Sequence, residues 1–155
     1  MSLFESDNCL AFNLSFNSPF NFTCFRCGTC CYHRQIKLNS FEIERMTRFL
    51  SLPPEEFIAR FLEPTFKSFL KNKDDGACIF LDGVKCSIHQ VRPLVCRLYP
   101  LGLLFGPEGQ ERWGLMPLHP DCSGLLSLDK TVEDYLKAQG ALPYLQFERK
   151  LRAQS

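Results

Sequence analysis

Apolar and polar residues alternate along residues 10–25: Phe12, Leu14 and Phe16 face one way, Asn13, Ser15 and Asn17 the other, and Phe20, Phe22 and Cys24 resume the pattern after Pro19. Successive strand side chains point to opposite faces, so this period of two predicts a half-buried strand. Base-stacking platforms are the weaker reading of these phenylalanines, because no basic residues are interleaved with them. The period then changes. Asn39 or Ser40 can cap a helix, Glu42 stands three after Asn39 as in a capping box, and Ile43, Met46 and Leu50 form a stripe. Glu44, four before Arg48, adds a supporting ion pair. Pro53-Pro54 opens a second helix with Phe57, Ile58, Phe61 and Leu62 inward, and Pro64 ends it. A short strand is expected over 66–70, then turns at Lys73-Asp74-Asp75-Gly76 and Asp82-Gly83. Leu101–Phe105 and Arg112–Met116 read as a hairpin across Gly106-Pro107-Glu108-Gly109. Asp129 or Thr131 caps a last helix carrying Val132, Tyr135 and Leu136, Gly140 ends it, and a basic, frayed tail follows Pro143. The fold class expected is α+β, a small single domain with cysteine-bearing loops organised around metal sites.

Composition narrows the function. The chain has 155 residues, 45% hydrophobic, with a formal net charge of +1. That is ordinary for a chain with a core and excludes intrinsic disorder. No apolar run approaches the roughly 20 residues of a membrane span. Near-neutral charge argues against a nucleic-acid partner, which calls for a basic face. Nine cysteines are the outlier.

Such abundance means disulfides in an oxidising compartment or metal ligation in a reducing one. Residues 1–21 contain Glu5 and Asp7, no Lys or Arg, and apolar stretches broken by Asn and Ser, which is no secretory signal. The expectation is a cytoplasmic location. The sequons at Asn13 and Asn21 are then chance, and the cysteines are candidate ligands.

Eight of them form a pattern. The first block is Cys24-Phe-Arg-Cys27-Gly-Thr-Cys30-Cys31, the second carries Cys78, Cys86 and Cys96, and Cys122 follows in His119-Pro120-Asp121-Cys122. Thiolates are soft ligands, and a two-residue spacer lets consecutive thiolates converge on one metal. Cys-x2-Cys-x2-Cys is also the run that wraps iron–sulfur clusters in bacterial ferredoxins. Gly28 permits the tight loop and the close backbone approach that a cluster demands. Cys27-Gly-Thr-Cys30 taken alone matches a thiol–disulfide oxidoreductase dithiol, but Cys24 and Cys31 would scramble it by exchange. Cys9, outside both blocks, reads as a buried structural thiol.

These residues resemble a known family. The Phe22-Thr-Cys24…Cys27-Gly…Cys30-Cys31 run, with Cys78, Phe80-Leu81, Cys86-Ser-Ile, Arg92-Pro93, Cys96-Arg97 and Tyr99-Pro100, is similar to the CxxCxxCC cysteine-cluster family of zinc- or iron-chelating (YkgJ-type) domains. A related cysteine module occurs in flagellin lysine N-methylases, where the resemblance implies an iron–sulfur cluster. The organisation expected is an N-terminal strand region at 1–21, a metal-binding domain at 22–123, and a C-terminal helical extension at 124–155 packed on the same domain. The proposed ligands are Cys24, Cys27, Cys30, Cys31, Cys78, Cys86, Cys96 and Cys122. How they divide into sites is open; sequence neighbours such as Cys30 and Cys31 point in different directions, so one metal seldom takes both.

Metal-bound thiolates are locally negative and favour nearby cations and hydrogen-bond donors. Arg26, Arg34, Lys37, Lys85, Arg92 and Arg97 lie within a few residues of ligands. Arg92 and Arg97 suit positions behind the ligands or structural ion pairs. His89 has Cys-x2-His spacing from Cys86 and could ligate, donate to a sulfur or pack; His33 and His119 are weaker candidates. The favoured cofactor is an iron–sulfur cluster of the 4Fe–4S type, serving electron transfer or cluster-assisted chemistry with an unknown protein or redox partner. Zinc in a structural or interaction module is the alternative, and a Cys27/Cys30 oxidoreductase the second. No glycine-rich nucleotide loop, catalytic triad or paired carboxylate stands out, so the residues assign no enzyme activity.

Overall fold

The helix expected after Asn39 forms because its first turn closes on itself. In a computed structural model, which describes residues 12–25 and 28–154, α1 spans Ser40–Leu50. The Asn39 side chain accepts the Glu42 N–H at 2.8 Å, and the Glu42 carboxylate accepts the Asn39 N–H at 2.9 Å, satisfying two otherwise orphaned donors. Met46 is fully buried, while Ile43 and Leu50 are only half-buried. Glu44 and Arg48 pair at 2.6 Å on the exposed face.

The chain divides into two compact units, Arg26–Pro93 and Met1–Phe25 with Leu94–Ser155. In the first, α1 is followed by α2 at Pro54–Phe61, with Pro54 in the first turn, where a missing N–H costs nothing. Phe57 is fully buried, and Phe61 packs on Phe80 with ring centroids 4.7 Å apart. The strand expected over 66–70 does not form. The Phe69 N–H bonds back to the Phe66 carbonyl at 3.0 Å, so the segment turns on itself, leaving single bridges of Phe69 to Lys37 and Leu70 to Leu62. Gly76, at φ +88°, closes the expected turn onto Lys73. A minimal hairpin joins β2, Leu81–Asp82, to β3, Lys85–Cys86, through Gly83-Val84.

The second unit holds β1, Pro19–Thr23, antiparallel to β6, Leu125–Thr131. The alternation upstream of β1 is not a strand. Leu14 makes one bridge to Trp113, and a Ser15–Ser18 turn then reverses the chain; residues 10 and 11 lie outside those described. The sequence reading also missed β6, whose Leu-Leu-Ser-Leu-Asp-Lys run lacks clean alternation and is exposed along its length. Helix α3, Leu94–Leu98, leads into the expected hairpin of β4, Leu101–Phe105, and β5, Glu111–Leu115. Thr131, rather than Asp129, caps α4, Val132–Ala138, in a second capping box. The frayed tail is instead a helix, α5, Leu142–Ala153. Pro143 sits in its first turn, where proline is tolerated, and Tyr144 and Leu145 are buried behind it. The core of this unit includes Phe20, Phe22, Leu98, Leu101, Leu103, Trp113, Val132 and Leu136. Helices beside two-stranded antiparallel sheets make the chain α+β.

Candidate metal centre

Three cysteine-bearing segments pack against one another in the Arg26–Pro93 unit. Gly28, at φ +82°, precedes a 3₁₀ turn at Thr29–Cys31, which closes through the Cys31 N–H on the Gly28 carbonyl at 3.0 Å. A Cβ on Gly28 would lie 3.1 Å from the Val84 Cα. The close approach expected of this glycine is therefore to the hairpin that carries Cys86. The Cys78 N–H donates to the Cys31 carbonyl at 2.7 Å, beside a bridge between Tyr32 and Ala77. Cys78 in turn accepts the Leu81 N–H at 2.9 Å, and Leu81 pairs across the hairpin with Cys86. Ser87 locks the far side, its N–H and hydroxyl both donating to the Phe80 carbonyl at 2.8 Å.

These thiols feel their surroundings. Burial pushes the Cys78 thiol up from its ordinary value; the charge of Cys86 adds to that, while Arg34 and Lys73 oppose it. Burial likewise raises Cys86, with Cys30 adding to it and Arg92 opposing. Each cation is held by a backbone carbonyl: Arg34 donates to Cys30 at 3.5 Å, Lys73 to Leu81, and Arg92 to His89 at 2.8 Å. Arg92 is the cation expected behind the ligands, whereas Arg34, which reads as solvated surface in the sequence, is half-buried. Lys73 was missed, because sequence distance hides it and its neighbours read only as a turn. Lys37 and Lys85 are exposed. His33 is exposed at φ 56°, and its ring fills the space that a Cβ on Gly76 would need. His89 opens a short 3₁₀ turn.

In the other unit the elements bearing Cys24, Cys96 and Cys122 gather around Tyr99. Cys24 follows β1 and is exposed, whereas Cys96 lies in α3 and is half-buried. The Tyr99 ring meets Phe22 edge-on at 5.8 Å, and its hydroxyl accepts the His119 N–H at 3.1 Å. The Cys122 N–H donates to the His119 carbonyl at 2.9 Å, and its sulfur accepts the Gly124 N–H at 3.4 Å. Gly124 packs against Phe22 so closely that a Cβ there would stand 2.2 Å from its Cζ. Arg97 is buried; it donates to the Gln139 carbonyl and the Tyr144 hydroxyl, both at 2.9 Å, and stacks over the Tyr144 ring. It thus serves the C-terminal end of α4, where a cation is favoured.

Among the described residues no three His, Cys, Asp or Glu side chains stand close enough to hold a metal ion. Cys27, Arg26 and Cys9 lie outside the described residues. The donors present fit a soft metal by their chemistry, since thiolate sulfur suits zinc and iron–sulfur clusters alike.

The family model described as "CxxCxxCC: Putative zinc- or iron-chelating domain" matches residues 23–123. The chain belongs to the CxxCxxCC family. The matched span takes in Cys24 through Cys122 and leaves α4 and α5 outside. The chain is also 34% identical over 137 residues to "Uncharacterized protein MJ0661" of Methanocaldococcus jannaschii, a match covering 81% of this chain and 70% of that protein. No solved structure matches. Membership in the CxxCxxCC family supports metal binding, zinc or iron, as the activity of this chain. Among the described residues no helix is long and apolar enough to cross a membrane.

Proposed function

We propose that this CxxCxxCC protein holds an iron–sulfur cluster of the 4Fe–4S type through thiolates drawn from Cys24, Cys27, Cys30, Cys31, Cys78, Cys86, Cys96 and Cys122. The cluster would exchange electrons with a protein partner in the cytoplasm, where reducing conditions keep thiols available. One observation carries the reading: the 3₁₀ turn bearing Cys30 and Cys31 is hydrogen-bonded to Cys78 and packed against the hairpin bearing Cys86. Cysteine-bearing stretches distant in sequence are thereby packed against one another, which supports ligands drawn from remote parts of the chain. The Cys-x2-Cys-x2-Cys run favours a cluster over zinc, whose structural sites commonly pair two Cys-x2-Cys knuckles. Arg34, Lys73 and Arg92 supply positive charge against the negative charge of bound thiolates.

Anaerobic purification of the full chain tests this reading. A brown protein with broad visible absorption, iron and acid-labile sulfide is expected. A colourless protein carrying zinc in place of iron would establish the zinc-binding module, the reading that the family description equally accommodates. A chain that takes up neither metal refutes metal binding altogether.

A further inference from the structure

We infer that helices α4 and α5, which lie outside the span matched by the family model, position Cys96 for ligation through Arg97. Arg97 is then a positioning residue, acting through the backbone of the helix that carries the thiol. The inference rests on the metal-binding reading and adds a role for the C-terminal helices that neither the motif nor the family description assigns.

Helix α3 is too short to orient itself. Leu94–Leu98 is five residues long, and isolated helices shorter than about 12–15 residues are marginal in water. Its rotation about its own axis is therefore set by tertiary contacts. Leu94, Val95, Arg97 and Leu98 are all buried, and Cys96 is the one residue of the five left half-buried. Consecutive helical residues project about 100° apart. Fixing Arg97 therefore fixes the direction open to Cys96. Both C-terminal helices do the fixing. The Arg97 guanidinium donates to the Gln139 carbonyl, which closes α4, and to the Tyr144 hydroxyl in α5, both at 2.9 Å. Its Cζ lies 4.2 Å from the centre of the Tyr144 ring. This planar fork stacked on a ring is a geometry that lysine cannot reproduce. Gly140, at φ +65°, lets the main chain pass close by, since a Cβ there would stand 3.2 Å from Arg97 Nη1. A second tie holds the residue that follows α3. The Tyr135 hydroxyl donates to the Tyr99 carbonyl at 2.6 Å, and the Tyr135 ring is buried edge-on against Phe20. The stretch just after Cys96 is thus gripped at Arg97 and again at Tyr99. Metal ligands are oriented by the groups behind them, and losing that support typically costs about 10–100-fold in metal affinity.

The full chain, purified anaerobically with its metal, is pulsed with iodoacetamide beside the same chain stripped by a chelator. Peptide mass spectrometry reads the labelling rate of each cysteine, and circular dichroism reports the folding of each variant. Protection of Cys96 by the metal is expected in the unaltered chain. Arg97→Ala and Gly140→Ala should each raise Cys96 labelling about tenfold or more, while Cys78 and Cys86, in the other unit, stay protected. Arg97→Lys should recover part of the protection. Gly109→Ala, at φ +83° with nothing within 4 Å of the added Cβ, should leave it intact. Unchanged Cys96 labelling in folded Arg97→Ala or Gly140→Ala overturns the inference. So does an equal loss of protection at every cysteine in Gly140→Ala, or an equal loss in Gly109→Ala, since either makes the contact merely structural. A metal-holding chain whose Cys96 reacts as fast as after stripping also overturns it and leaves the metal-binding reading standing. A chain that carries no metal refutes that reading, and this inference with it.

Discussion

Replacing Gly28 with alanine tests whether the metal region depends on close backbone contact or only on the presence of cysteines. Gly28 has φ +82°, and an added Cβ would meet the Val84 Cα at 3.1 Å and the Val84 carbonyl oxygen at 3.3 Å. Gly83, in the same hairpin, has φ +64° and open space around its missing Cβ. Both substitutions place an L-residue in the left-handed region, a strain of about 1–2 kcal/mol. Only Gly28→Ala must also push main chain away, and forcing an extra methyl into an occupied space costs about 1–3 kcal/mol more. The shared term cancels between the two variants, leaving about 2 kcal/mol for the contact. With a urea slope of about 2 kcal/mol per molar, their unfolding midpoints should differ by about 1 M. Metal retained after gel filtration should fall for Gly28→Ala and hold for Gly83→Ala. Equal midpoints and equal metal content would refute the claim that this contact docks the cysteine turn on the hairpin.

Other consequences follow from burial and capping. Arg97→Ala removes a buried guanidinium from the Gln139 carbonyl and the Tyr144 hydroxyl; with unsatisfied partners and lost packing, a drop of about 2–4 kcal/mol in denaturant unfolding is expected. Arg97→Lys should recover part of it. Asn39→Ala breaks the α1 capping box and should lower stability by about 1 kcal/mol in thermal melts. The Cys78 and Cys86 thiols titrate above their ordinary value of 9.0 in the folded chain. Above that value the unfolded chain gives up protons that the folded metal-free chain keeps, so rising pH favours unfolding through the folded-state pKa values. The metal-free chain should therefore lose stability above about pH 9, less so with Cys78→Ala. Zinc added near pH 7 should release protons from the same thiols, measurable in weak buffer.

Local chemistry was legible wherever a few adjacent residues settle the backbone. The α1 box needs only Asn39 and Glu42, the turns need Gly76 and Gly83, and the β4–β5 hairpin needs its Gly-Pro-Glu-Gly loop. Family membership was equally plain, because the Cys-x2-Cys-x2-Cys-Cys run and the downstream cysteines carry the pattern of a zinc- or iron-chelating domain. Where the reading went astray, a local signal had two outcomes. Pro143 marks a helix end or a first turn, and only the burial of Tyr144 and Leu145 decides for α5. The Phe66–Leu70 run has strand-like residues, yet no partner strand extends its single bridges, and it turns back on itself instead. β6 exists because β1 pairs with it, a long-range contact that its own exposed residues do not announce.

Spacing along the chain thus determined the family and its metal-binding character, since the Cys-x2-Cys-x2-Cys-Cys run is a local property. Tertiary structure alone decided which cysteine-bearing segments are neighbours. Hydrogen bonds and one glycine contact join the segments that bear Cys30 and Cys31, Cys78, and Cys86, Tyr99 gathers the elements that bear Cys24, Cys96 and Cys122, and Lys73 enters the picture from a turn. Contacts of that kind depend on how remote segments pack, and no spacing rule encodes them.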